Sequence, residues 1–157
     1  MNTESEVIKK VVLPCIAMRG VVAFPKIPVN LEIGRSASKR ACDVALGADG
    51  LVMLVCQRDS FIEEPSKDDV YTVGVTAKIK QLVKTEDGVY RTLMEPVART
   101  EITDFYRVGK YAIAEGLEKT AEYTGVYEED QAVLREIRKT VAEISSLLPM
   151  FSDDVYA

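Results

Sequence analysis

The chain has no histidine. Every serine–histidine and cysteine–histidine nucleophile arrangement is therefore closed to it, as is a mixed cysteine–histidine zinc site. Its cysteines, Cys15, Cys42 and Cys56, are odd in number, widely spaced and contain no CxxC pair, which argues against a structural metal. They suit small buried apolar residues in a reducing compartment. No GxxxxGKS/T loop is present to cradle ATP, and no GxGxxG follows a strand to hold a dinucleotide. No apolar run approaches the ~20 residues that span a bilayer. The opening Met1-Asn2-Thr3-Glu4-Ser5-Glu6 is polar and acidic, unlike a secretory signal. A cytoplasmic protein without a membrane partner is expected.

What is present is an ordinary globular composition: 157 residues, 47% hydrophobic and 29% charged. A chain of this length accommodates one domain, or one domain with an appended helical element, and has enough apolar material for a core. The net charge of −5 is mild, and lysine and arginine occur singly or in pairs such as Lys9-Lys10 and Lys39-Arg40. Nucleic-acid binders carry a basic face because neutralised phosphates supply much of their affinity. The balance here argues against such a role.

Strand signals dominate the first two-thirds. Val11 to Met18 is β-rich and nearly continuous in apolar character, as in a strand buried on both faces. Arg19-Gly20 breaks it, and Phe24-Pro25-Lys26-Ile27-Pro28 is a stiff connector, since each proline forces its predecessor into an extended form. Val29 to Ile33 alternates as a half-buried strand. Gly34-Arg35-Ser36 then feeds a helix for which Ser36 or Ser38 is the expected cap. Ala37, Ala41, Val44, Ala45 and Ala48 share one face, and Asp49-Gly50 ends the helix. Leu51 to Cys56 reads as a central strand, and residues 58 to 70 as a long polar loop with a candidate functional surface.

Strict alternation from Val75 to Lys80 slips by one residue at Gln81-Leu82, the mark of a bulge. Asp87-Gly88 turns a hairpin, and Val89 to Met94 is its return strand. Ile102 to Tyr106 and Tyr111 to Leu117 read as two further strands around Gly109. The period becomes helical from Glu128 to Leu148, with Val133, Leu134, Ile137, Val141, Ile144 and Leu148 forming a stripe that Pro149 stops. The fold class is α+β: a rolled β-sheet or small barrel with one short inserted helix, followed by a long C-terminal helix.

Three look-alikes of chemistry are weighed against simpler readings. Ser36-Ala37-Ser38-Lys39 matches the SxxK acylation motif, but its companion motifs are missing and a helix cap is preferred. Glu63-Glu64 and Asp68-Asp69 lack the converging oxygens that a hard cation needs, so a solvated loop is preferred. Arg19 is either a ligand-binding guanidinium or a structural one satisfying loop carbonyls through its five donors; the second reading is favoured.

Read together, the segments resemble a known family. Leu13-Pro14-Cys15-Ile16-Ala17-Met18-Arg19-Gly20-Val21-Val22-Ala23-Phe24-Pro25 resembles the LPxxPLRxxVxFP opening of Lon N-terminal domains. Pro28 to Arg35 is similar to the strand that runs through "GR" into that family's first helix. Tyr71 to Ile79 resembles its "YxVGxxAxI" strand, and Asp87 to Glu95 its "DGxxRVLVEG" hairpin. The likeness covers about residues 11 to 107 in family order. Ala17 replaces a usual proline, and Pro96 stands where the hairpin usually has glycine.

The resemblance implies a PUA-like β-domain over residues 1–119 and the start of a helical region over 120–157, in a fragment of a longer chain. It implies a parent that is an ATP-dependent Ser-Lys protease of the AAA+ class, hexameric, using ATP and Mg outside this segment. The segment itself is then a non-catalytic module that needs no cofactor and recognises unfolded or degron-bearing proteins. It is expected to be a monomer or weak dimer. Candidate substrate-binding residues are Phe24, Pro25 and Ile27 on the connector, Phe61 in the long loop, and Met150 and Phe151 after the helix. A stand-alone adaptor or small-ligand module and a PUA-like RNA binder are the alternatives, the latter resting on fold analogy alone.

Overall fold

The computed structural model describes residues 9–119 and 127–147. Six strands form one sheet: β1 (Lys9–Met18), β2 (Val29–Ile33), β3 (Leu51–Cys56), β4 (Val73–Lys84), β5 (Tyr90–Val108) and β6 (Tyr111–Lys119). The order is β2-β5-β4-β3-β1-β6, and β6 pairs back onto β5. Five strands thus close on themselves, while β2 lies outside the ring on one end of β5. The expected rolled, barrel-like sheet with an inserted helix is observed.

β5 makes this arrangement through its length. Sequence patterning split it into two strands, but Tyr90–Val108 is continuous. Its Tyr90–Met94 part pairs with β2 and its Arg99–Val108 part pairs with β6. Between them, Ala77 pairs with Pro96 and Thr76 with Ala98, leaving Val97 as an extra residue. Proline lacks the N–H of a regular ladder and is accommodated at such a bulge. The bulge disturbed the period-two signal, which is why the strand looked interrupted. The slip anticipated near Gln81 is also present, as a register shift between Ile79 and Gln81. Gly88 turns the β4–β5 hairpin at φ +79°.

β1 changes neighbours along its length, meeting β6 from Lys9 to Cys15 and β3 from Cys15 to Met18. Its burial accordingly alternates at first and becomes continuous from Cys15 onward. β3 is buried on both faces. Val52 and Leu54 pack with α1 (Ser36–Leu46), whereas Met53 and Val55 pack with Ile102, Phe105 and Ala114. Ring closure requires close backbone approach at Gly116, where an added Cβ would lie 2.6 Å from the Glu101 carbonyl oxygen.

Two details of α1 correct the sequence reading. Its N-cap is Arg35 in an extended conformation, with no side-chain cap, so neither Ser36 nor Ser38 caps it. Ser36 is already the first helical residue, and its position no longer suits a cap. The helix stops at Gly47 rather than Asp49-Gly50, and its buried face is Ser38, Ala41, Cys42 and Ala45. Those small side chains let the helix sit close to the sheet. The chain divides into two compact units, Met1–Thr120 and Ala121–Ala157. In the second, α2 (Tyr127–Leu147) carries exposed Val133, Leu134, Ile137 and Ile144 at helical spacing.

Candidate functional site

The connector after β1 is held in a defined shape. Gly20 reverses the chain at φ +67°, and Ala23 is buried in the core beneath it. The Ile27 N–H donates to the Phe24 carbonyl at 3.3 Å, closing a β-turn with Pro25 second and Lys26 third. Lys26 has φ +67°, the value this type II pattern requires at its third position. A side-chain-bearing residue there costs about 1–2 kcal/mol. The Lys26 N–H donates to the Pro96 carbonyl at 2.9 Å, so the turn is tied to β5 at its bulge.

Anchored in this way, Phe24 remains 53% exposed. It forms one wall of an open groove of about 780 Å3. The connector supplies Val22, Phe24 and Pro25, and the facing wall carries Cys56, Tyr71 and Val73. Arg58 and Arg99 also line it, and among the described residues the lining contains no carboxylate. Arg58 donates from Nε to the Val70 carbonyl at 3.2 Å and stacks 4.7 Å from the Tyr71 ring centroid. Gly74 lets β4 approach here: a Cβ would meet the Leu54 carbonyl oxygen at 2.7 Å. The groove combines apolar walls with two cations in a chain of net negative charge. It can take an extended apolar segment and disfavours flanking lysine or arginine.

The candidate residues fall into three groups. Phe24 and Pro25 line the groove. Ile27 and Phe61 are exposed, Phe61 almost completely, but do not line it. Met150 and Phe151 lie outside the described residues. Sequence reasoning missed Val22, Tyr71, Val73, Arg58 and Arg99. Val73 shares the parity of Val75 and reads as a core position, yet the end of β4 leaves it half exposed.

The look-alikes resolve into structural contacts. Lys39 of the SxxK match donates to the Gly88 carbonyl at 3.0 Å, away from any serine nucleophile role. Glu63 pairs with Arg19 at 3.4 Å and Glu64 with Arg107 at 3.3 Å. Asp69 instead closes a capping box with Ser66. Burial pushes the Cys15 thiol far up, against a smaller opposing effect of Arg35. Burial, aided by Asp43, pushes the Cys42 thiol up to about 12. Cys56 departs from the expected burial: it is partly exposed at the groove.

This ring with an outlying strand has the fold of a Lon N-terminal domain. The likeness is borne out by known structures. The N-terminal domain of a Mycobacterium avium complex Lon protease aligns at TM-score 0.69 with 17% identity, covering 87% of this chain and 68% of that one. A Lon N-terminal domain protein from Xanthomonas campestris aligns at TM-score 0.59 with 13% identity, covering 83% and 72%. The model of the ATP-dependent protease La (LON) substrate-binding domain matches residues 12–155, and the chain belongs to that family.

Among relatives, the Lon protease of Halothermothrix orenii is 38% identical over 66% of this chain and 13% of its own length. Lon protease 1 of Bacillus subtilis is 28% identical over 92% of this chain. That of Bacillus thuringiensis is 26% identical over 100% of this chain and 19% of its own. The chain therefore spans less than a fifth of the length of these relatives.

Proposed function

We propose that this segment recognises unfolded or degron-bearing polypeptides for an ATP-dependent serine protease, and does so without catalysing a reaction itself. The parent would be a cytoplasmic, hexameric AAA+ protease of the Lon kind, with ATP and Mg held by its ATPase domain. The observation that carries this is the groove beside Phe24. Its apolar walls are fixed by the Lys26 turn and the close β3–β4 approach, so binding is not preceded by extensive ordering of the receptor. An extended client places alternate apolar side chains along such a wall. Ile27 and Phe61 are further exposed apolar side chains that a client could cover.

The family match supports this reading, because its model describes a substrate-binding domain. Among the described residues no helix is long and apolar enough to cross a membrane. The test is fluorescence anisotropy with a labelled, reduced and carboxymethylated model protein that stays unfolded. Saturable binding that weakens on Phe24→Ala is expected. Absence of binding by the wild-type chain would refute the proposal.

A further inference from the structure

A second cleft, of about 520 Å3, lies between β1 and β2. Along one side run Ile16 to Met18, where β1 has lost its β6 neighbour after Cys15. Along the other runs β2, which among the described residues pairs only with β5 and ends the sheet. Two strand edges thus border one space, and an unpaired edge is a template for another extended chain. The five residues of β2 offer an edge about 17 Å long.

Arg19 and Arg35 meet at this cleft. Arg35 donates from Nη2 to the Ala17 carbonyl and from Nη1 to Gln57 Oε1 at 2.7 Å. Arg19 donates from Nη2 to the Ile62 carbonyl at 2.9 Å, whereas its buried Nε has no partner among the described residues. The structural role expected for Arg19 is thus present but leaves a donor over. Burial and then the positive charge of Arg19 hold the Arg35 guanidinium below its ordinary range. Their nearby counter-charge is Glu63, whose side chain is 78% exposed and 3.4 Å from Arg19. Two cations drawn together with one exposed carboxylate as counter-charge form a receptor for one more carboxylate.

The position of the loop decides which carboxylate. The backbone of Ile62 and Glu63 lies against both guanidiniums, closing that part of the cleft to a chain that would continue through it. We propose that the cleft receives the C-terminal end of an extended polypeptide, which adds as a strand to the free edge of β2 and places its α-carboxylate between Arg19 and Arg35. This deepens the polypeptide-binding reading above and specifies which part of a client the cleft holds. Glu63 occupies the carboxylate position in the free protein and is released on binding.

The test uses an N-terminally labelled octapeptide of alternating serine and leucine, as the free acid and as the C-terminal amide, titrated into the 157-residue chain. The acid should bind at least about tenfold more tightly, the increment of a charge-assisted hydrogen bond. Arg19→Gln should erase that difference, and Glu63→Gln should strengthen acid binding. Methylating alternate backbone nitrogens of the acid should abolish binding. Equal affinity of acid and amide for the wild-type chain overturns the proposal, without reliance on any variant. So does an N-methylated acid that still binds. Failure of the groove reading looks different: the unfolded protein would then bind independently of Phe24, while discrimination between acid and amide persisted.

Discussion

Truncation of Phe24 separates a binding surface from an incidental exposed side chain. An aromatic side chain contributes roughly 150–250 Å2 of burial when fully covered. Phe24 is 53% exposed, leaving on the order of 100 Å2 for a client to cover. At ~25 cal/mol per Å2 this sets an upper bound of about 2.5 kcal/mol. Incomplete coverage and the ordering of the client reduce it, so Phe24→Ala should weaken binding by about 1–2 kcal/mol, a factor of roughly 5–30. The half that is already buried makes a comparable contribution to folding. The variant should therefore remain folded, with a lower urea midpoint. Anisotropy with the unfolded probe, run beside urea denaturation, reads both quantities. Phe61→Ala, at a more exposed residue outside the groove, should have the smaller effect. A folded Phe24→Ala chain whose affinity stays within twofold of wild type would refute the reasoning.

Cys56 lines the groove while Cys15 and Cys42 are buried; iodoacetamide should label Cys56 first, and bound unfolded protein should slow that labelling, as mass spectrometry can follow. Gly116→Ala places a Cβ 2.6 Å from both the Glu101 carbonyl oxygen and Thr100 Cγ2; ring closure should lose about 1–3 kcal/mol, the ordinary cost of overpacking, and an unchanged urea midpoint would contradict the close approach. Both buried thiols are raised above the ordinary value of 9.0. The folded state therefore retains protons that the unfolded state releases above that pH, and stability falls as pH rises beyond it, by up to about 1.4 kcal/mol per pH unit per thiol. For Cys42 this loss runs from about 9.0 to about 12, and Cys42→Ala should flatten the alkaline limb in pH-dependent urea denaturation; an unchanged slope would count against it.

The elements that announced themselves in the sequence are those whose pattern has one local cause. The alternation of β4, the Asp87-Gly88 turn and the apolar run of β3 each follow from a single strand's burial or a single turn's φ values. β5 was read as two pieces because Val97, inserted beside Pro96, shifts the parity of everything after it. The α1 cap was misplaced because the Arg35 side chain reaches Ala17 and Gln57 across the chain, contacts that no local pattern encodes. The groove shows the same division. Phe24 and Pro25 were legible as apolar residues on a stiff connector, whereas Tyr71 and Val73 became a wall only when β4 met β3.

The exposed apolar surface coexists with a well-filled core, so it is not surplus from incomplete folding. Met53, Leu54, Val52 and Met94 are all fully buried, and the two clusters use both faces of β3. Lys26 meanwhile adopts a left-handed backbone that favours glycine, in the turn that carries Phe24 at the groove. Relief of that conformation by Lys26→Gly would remove about 1–2 kcal/mol of strain but add about 0.5–1 kcal/mol of unfolded-state entropy, leaving the chain at least as stable as before. The same change would loosen the turn. If rigidity of the turn supports binding, Lys26→Gly should weaken affinity for the unfolded probe without lowering the urea midpoint. Equal affinity in the two chains would show that the walls alone suffice.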